Sequence, residues 1–128
     1  MSRLLLHIGF DKTGTTSIQR FLFEHRRPLS RRGLIYAPPT QPNYPYEAIN
    51  HELLTSLLLP PDLIPPFAKA AFGSAEAAKS AALRWLKSVR DLRSRRWREL
   101  VVSSEAFYSL PPSAVRELCD IGRFITGT

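Results

Sequence analysis

The sequence Gly9-Phe10-Asp11-Lys12-Thr13-Gly14-Thr15-Thr16 follows a short apolar run, Arg3–Ile8, and leads into a stretch with helical periodicity that begins at Thr15. The apolar run is typical of a strand buried on both faces of a parallel sheet. A strand, a Gly- and Thr-rich turn and a helix in this order point backbone N–H groups and the positive end of the helix dipole at one place. Residues 9–16 therefore predict an α/β fold with a phosphate- or sulfate-binding loop, called here the predicted anion loop.

Individual residues of the predicted anion loop suit this role. Gly14 lets the backbone approach an anion closely, Thr15 and Thr16 offer hydroxyl groups, and Lys12 supplies a compact positive charge. In the ordinary P-loop, G-x-x-x-x-G-K-[ST], a lysine follows the second glycine. Gly9 and Gly14 have that spacing, but Thr15 stands in the lysine position. The loop is therefore P-loop-like, and no apolar run ends in the Asp that an NTPase uses to hold Mg²⁺.

The rest of the chain alternates between helix and strand patterns. The predicted elements are a helix from Thr15 to a break at Pro28, a strand over Leu34–Ala37, a helix over Glu47–Leu58, a long helix from about Ser74 to Leu92, a strand over Leu100–Ser103 and a last helix from Pro111. In the first helix the apolar face comprises Ile18, Phe21 and Leu22, with Gln19 off it. Gly33 is a suitable stop for any short helical turn after Pro28. A period near 3.6 predicts the inward residues of the long helix, which are Ala78, Ala82, Trp85, Leu86, Val89 and Leu92, and the apolar residues of the last helix are Val115, Leu118 and Phe124. This alternation predicts a three-layer αβα architecture around a parallel sheet of about three strands, the first two joined as a βαβ unit.

Composition excludes several classes of protein. The chain has 128 residues, 18 Lys and Arg against 11 Asp and Glu, a net charge of +7 and a single cysteine, Cys119. One cysteine forms no internal disulfide, and no Cys/His cluster has the spacing of a zinc site. No apolar run approaches the roughly 18 residues that span a bilayer. We expect a soluble cytoplasmic protein without a membrane span or a metal site.

The basic residues concentrate in two segments, 20–32 and 84–98. Two such segments are compatible with a polyanion-binding face, and equally with solvated helix faces that carry arginine near helix C-termini. Neither segment predicts a specific nucleic-acid partner.

Two stretches resemble a known family. HIGFDKTGTTSIQRFL, residues 7–22, resembles the 5′-phosphosulfate-binding loop of sulfotransferases in the form found in short bacterial members, and LVVSSEAF, residues 100–107, is similar to their third-strand segment. The resemblance implies a P-loop NTPase-like sulfotransferase fold and 3′-phosphoadenosine-5′-phosphosulfate as donor. It also implies transfer of the sulfuryl group to a hydroxyl or amine of a small-molecule or carbohydrate acceptor, with no metal required.

The same resemblance implies roles for particular residues. Lys12 stabilises charge on the leaving phosphate. The donor-binding residues implied are Gly9, Lys12, Thr13, Gly14, Thr15, Thr16, Ser103 and Ser104. The acceptor needs a general base, for which Glu105 is the first candidate because it follows a strand at the edge where parallel sheets bind ligands. Glu105 has an alternative role as support for the loop.

His51 is the second candidate base, since a histidine titrates near neutral pH, and its alternative is a packed or surface residue. Sulfotransferases also have a later strand followed by Arg, and a helix with Ser, which bind the 3′-phosphate. That element is missing after the third strand. We therefore expect residues 1–128 to form one sulfotransferase-like domain truncated at its C-terminus. Two alternatives stay open: a degenerate P-loop nucleotide kinase or NTPase, and a non-catalytic basic module that binds polyanions.

Overall fold

The computed structural model describes residues 3–8, 15–39, 49–64, 66–92 and 97–127. Its strands are β1 (Arg3–His7), β2 (Leu34–Ile35) and β3 (Glu99–Ser103). Its α-helices are α1 (Thr15–Glu24), α2 (Arg26–Arg31), α3 (Thr55–Leu58), α4 (Pro66–Phe72), α5 (Ala75–Leu92) and α6 (Pro112–Thr126). Short 3₁₀ helices cover Glu52–Leu54, Pro61–Leu63 and Glu105–Ser109. In the described part of the chain no helix is both long and apolar enough to cross a membrane.

The three strands form one parallel sheet in the order β1-β3-β2. The mixed α/β class and the parallel three-stranded sheet predicted from the sequence are confirmed. The first two strands are parallel, but β3 lies between them, so they do not pair. Among the first three strands of the chain, the second strand is central in the dinucleotide-binding fold, and the first strand is central in the flavodoxin-like fold. The order of the described strands matches neither.

The core forms around β3, whose Leu100, Val101 and Val102 are all buried. On α5 the predicted inward positions pack as expected, with Ala78, Ala82, Trp85, Leu86 and Val89 buried. Helix α6 lies close to β1, where a Cβ added at Gly122 would come 2.9 Å from Leu4 Cδ2. The most completely buried strand thus takes the central position of the sheet.

Strand β1 is not buried on both faces, and that prediction is wrong. Leu5 is 40% exposed and Leu6 is 38% exposed. The physical reason is position: β1 pairs with β3 along one edge, and no other described strand pairs with it. An apolar run predicts a strand, but the number of neighbours that cover it is a property of the whole sheet.

The inward face of α1 also differs from the predicted one. Ile18 and Phe21 are exposed, whereas Gln19 is buried at 4% exposure. Gln19 turns inward because its amide donates a hydrogen bond to Ser103 Oγ. Of the apolar residues predicted to lie inward on the last helix, Leu118 is buried, but Val115 and Phe124 are exposed.

The helix predicted over Glu47–Leu58 begins later than expected. His51 is not helical because its backbone N–H donates to Ser103 O at 2.8 Å. The Asn50 side chain then accepts from Glu52 N at 3.0 Å and starts the 3₁₀ helix that leads into α3. Helix α4 was not predicted from the sequence at all. By contrast, Gly33 ends the helical segment before β2 as predicted, with a φ of +88° that favours glycine.

Candidate functional site

The carboxyl ends of β1 and β3 meet at one edge of the sheet, where His7 pairs with Ser103. The Ser103 hydroxyl accepts from Gln19 Nε2 at 3.0 Å and lies 2.8 Å from His7 Nδ1. One buried hydroxyl therefore joins both strands to α1. Ligands of open parallel α/β sheets bind at this edge.

The predicted anion loop connects the end of β1 to α1, but most of it lies outside the described residues. Gly9, Lys12, Thr13 and Gly14 fall in the range 9–14, which the structure does not describe. Thr15 and Thr16 are described only as the first backbone residues of α1. The strand before the loop and the helix after it are both present where the sequence predicted them.

His51 is fully buried and bonded twice to the last residue of β3. Its backbone N–H donates to Ser103 O at 2.8 Å, and its ring Nδ1 accepts from Ser103 N at 3.0 Å. Because Nδ1 accepts a hydrogen bond, the ring proton lies on Nε2. Nε2 is buried and has no hydrogen-bond partner among the described residues. His51 thus continues the hydrogen bonding of β3 where the strand ends.

Two aromatic rings enclose the His51 imidazole. Tyr36 and Trp85 lie edge-on to it, with ring centroids 5.2 and 5.3 Å away. Burial lowers the pKa of His51 to about 3. The imidazole is therefore neutral at neutral pH, and its Nδ1 lone pair is engaged. This environment favours a structural role for His51 over the predicted role of a base.

The hydroxyl groups predicted to bind the donor are also engaged internally. Ser103 and Ser104 are both buried. Ser104 Oγ accepts from Ala106 N at 3.1 Å and caps the 3₁₀ helix that follows β3. The contribution of these two serines to donor binding stays a prediction, whereas their part in shaping the end of β3 is evident.

Two carboxyl groups lie near each other just beyond the end of β3. Glu105 begins the 3₁₀ helix after the strand, and Glu52 begins the 3₁₀ helix after His51. Burial, and after it the negative charge of Glu105, raises the pKa of Glu52 to about 7. Glu52 therefore keeps its proton at slightly acid pH and releases it near pH 7. Sequence reasoning missed Glu52, because its partner is far away in the chain.

The raised pKa of Glu52 predicts a pH-dependent effect of Glu52→Gln. The native state keeps a proton on Glu52 up to about pH 7, whereas the unfolded chain loses it near pH 4.5. Between these values the contribution of Glu52 to stability falls as pH rises. We expect the variant to match the wild type at pH 4.5 and to be more stable at pH 8, by at most about 3 kcal/mol.

Urea denaturation at pH 4.5, 6 and 8 measures this difference. Glu117→Gln on the exposed face of α6 is the matched control, since it removes the same charge at an exposed position. The prediction is wrong if Glu52→Gln is no more stable than the wild type at pH 8, or if the control shows the same gain.

Comparison with known proteins identifies no relative of this chain. No family model, curated protein or solved structure matches the chain. Among the residues that the structure describes, no group of three His, Cys, Asp or Glu residues could hold a metal ion.

Proposed function

We propose that this chain is the donor-binding part of a sulfotransferase, which transfers a sulfuryl group from 3′-phosphoadenosine-5′-phosphosulfate to a hydroxyl or amine of a small-molecule or carbohydrate acceptor. One observation carries the proposal: the sequence of the predicted anion loop, residues 9–16, lies between the carboxyl end of β1 and the start of α1. A loop in that position presents backbone N–H groups and a helix N-terminus to an anion.

The proposed reaction is an in-line displacement at sulfur. The acceptor oxygen or nitrogen attacks sulfur, the bond from sulfur to the 5′-phosphate oxygen breaks, and the acceptor proton passes to a carboxylate. Lys12 stabilises the negative charge that develops on the leaving phosphate. Positioning and fixed positive charge are the main requirements of such a reaction, because the donor anhydride is already activated.

The proposed base is Glu105, with Glu52 as its partner. Glu105 lies two residues after the end of β3, whose last residue pairs with His7, two positions before Gly9. Glu52 adds a second carboxyl group, and its pKa of about 7 suits proton transfer near neutral pH. His51 is less suitable, because its Nδ1 already accepts the Ser103 N–H.

The proposal also assigns the α/β chain to a particular fold, a P-loop NTPase-like sulfotransferase fold with three layers. Three parallel strands between helices support it, as does a strand order that differs from the dinucleotide-binding and flavodoxin-like orders. The donor part of such a fold needs a buried central strand next to the strand that precedes the loop. β3 meets this description.

Donor binding predicts that adenosine 3′,5′-bisphosphate raises the Tm of the chain. A ligand at 100 times its Kd stabilises the native state by about 2.7 kcal/mol. We expect Lys12→Ala to remove most of the shift in Tm, because it removes the cation of the predicted anion loop. Thermal unfolding with and without millimolar bisphosphate measures the effect.

Lys87→Ala is the matched control, since Lys87 is an exposed lysine on α5. It should keep the full shift in Tm. Absence of a shift in the wild type, or an equal loss in both variants, would contradict donor binding. A larger shift with ATP and Mg²⁺ than with the bisphosphate would instead favour a nucleotide kinase or NTPase.

A further inference from the structure

A cavity of about 510 Å³ lies between α2, the residues at the end of β2 and the end of α5. Pockets for small organic ligands have volumes of about 300–1,000 Å³. The residues that matter here are three arginines on α2, Arg26, Arg27 and Arg31, and three apolar or aromatic residues, Ile35, Tyr36 and Trp97. The cavity therefore combines concentrated positive charge with an apolar surface.

The three arginines concentrate positive charge on one short helix. Arg27 and Arg31 are four residues apart on α2, which places them on one face of the helix. The described ion pairs join Arg3 to Glu99, Arg20 to Glu24 and Arg123 to Asp120, so within the described ranges none involves an α2 arginine. Positive charge at a concave surface with low-dielectric walls attracts anions.

Arg26 is held in place by its neighbour on α1. Its Nη1 donates to Phe23 O at 2.7 Å, and its guanidinium lies 4.1 Å from the centroid of the Phe23 ring. Arginine is the side chain best suited to phosphate and sulfate, because its planar guanidinium donates two parallel hydrogen bonds to such oxyanions. The fixed position of Arg26 lowers the entropy lost when a ligand binds.

The apolar surface of the cavity is also well ordered. Tyr36 is 2% exposed and Trp97 is 5% exposed. The Tyr36 hydroxyl donates to Ile49 O, which holds its ring in place. Above these buried rings, an apolar group can pack against Ile35, Ala37 and Leu92, which line the cavity and are partly exposed, while an attached oxyanion reaches the guanidinium groups.

We propose that this cavity binds a small organic anion in which a flat, aromatic body carries a phosphate or a sulfate. The site goes beyond the proposed function, because it is built from α2, β2 and α5 and not from the predicted anion loop. Phosphate and sulfate esters present the same tetrahedral oxyanion, so the probes must distinguish between them.

The test is isothermal titration calorimetry of the full chain with phenyl phosphate, phenyl sulfate and inorganic phosphate. We expect saturable binding of one or both phenyl esters, at least tenfold tighter than that of inorganic phosphate. The preferred ester identifies the oxyanion. The double variant Arg27→Gln/Arg31→Gln should weaken ester binding at least tenfold. Both arginines are exposed, so we expect this variant to fold.

Three further variants separate the cavity from other sources of binding. Lys79→Gln/Lys87→Gln removes the same charge from the exposed face of α5 and should change the Kd less than twofold. Ser30 also lines the cavity, so Ser30→Phe places a bulky side chain there without changing the charge and should abolish binding of the esters. Lys12→Ala should leave that binding unchanged, because the predicted anion loop is a separate site.

Several results would overturn the proposal. They are wild-type affinity in Ser30→Phe or in the arginine double variant, an equal loss in the lysine double variant, and loss of binding in Lys12→Ala. Inorganic phosphate that binds as tightly as the phenyl esters would also overturn it, because the apolar surface would then contribute nothing. Absence of any binding of the phenyl esters at millimolar concentration would overturn it directly.

Discussion

Replacement of His51 by alanine is expected to lower the free energy of unfolding by about 3–5 kcal/mol, since it combines a buried cavity with a lost hydrogen bond. The imidazole is fully buried between Tyr36 and Trp85, and its Nδ1 is the acceptor for Ser103 N. Alanine leaves that N–H without a partner at the end of the central strand. Urea denaturation at pH 7 measures the loss.

His51→Asn is the informative control for this loss. The asparagine oxygen can lie near the position of Nδ1 and accept the Ser103 N–H, so this variant should be more stable than His51→Ala. A loss of less than about 1 kcal/mol in His51→Ala would contradict the argument, because burial alone predicts a larger cost.

The same substitution should change the response to acid. Burial holds the pKa of His51 at about 3 in the native state, whereas in an unfolded chain it is 6.5. The stability contributed by His51 is complete above pH 6.5 and is lost as pH falls towards 3. The difference in stability between wild type and His51→Ala should therefore shrink across this range. A constant difference would show that the imidazole is not kept neutral.

Trp85→Ala is the second large effect, with an expected loss of about 3–5 kcal/mol. The Trp85 ring is 8% exposed, and it packs on His51. Its Nε1 donates to Ala37 O at 2.6 Å, which ties α5 to the segment that leaves β2. Alanine removes the ring and leaves the carbonyl of Ala37 without this donor.

Trp85→Phe separates packing from the hydrogen bond. It keeps an aromatic ring but has no N–H, and we expect a loss of about 1–3 kcal/mol, the cost of an unsatisfied carbonyl. Equal losses for Trp85→Phe and Trp85→Ala would show that ring volume contributes little. Because Trp85 and His51 are in contact, the double alanine variant should lose less than the sum of the single losses.

Local sequence patterns predicted most of the secondary structure. The apolar run Arg3–Ile8 predicted β1, the 3.6-residue period predicted the inward face of α5, and Gly33 predicted the end of the helical segment before β2. Each of these depends on residues within a few positions of one another. Errors arose where a distant contact prevailed, as at His51, whose N–H bonds to Ser103 and delays the helix.

The candidate site was predictable only in part. The position of its loop and the choice of Glu105 as candidate base follow from the rule that ligands bind at the carboxyl ends of parallel strands. Gln19 and Glu52 could not be found in that way. Gln19 lies off the apolar face predicted for α1, yet its side chain is buried and bonds to Ser103. Glu52 has a raised pKa because it is buried beside Glu105, which is distant in the sequence.

The sequence by itself determined the order of the three strands, the order of the helices other than α4, and the place of the predicted anion loop between β1 and α1. It did so because backbone preferences and periodicity act over one or two turns of chain. Only the tertiary structure decided that β3 is central, that β1 is partly exposed and that His7, Gln19 and His51 converge on Ser103. Those three contacts join residues 96, 84 and 52 positions apart, and no local pattern encodes which distant groups will satisfy a buried hydrogen bond.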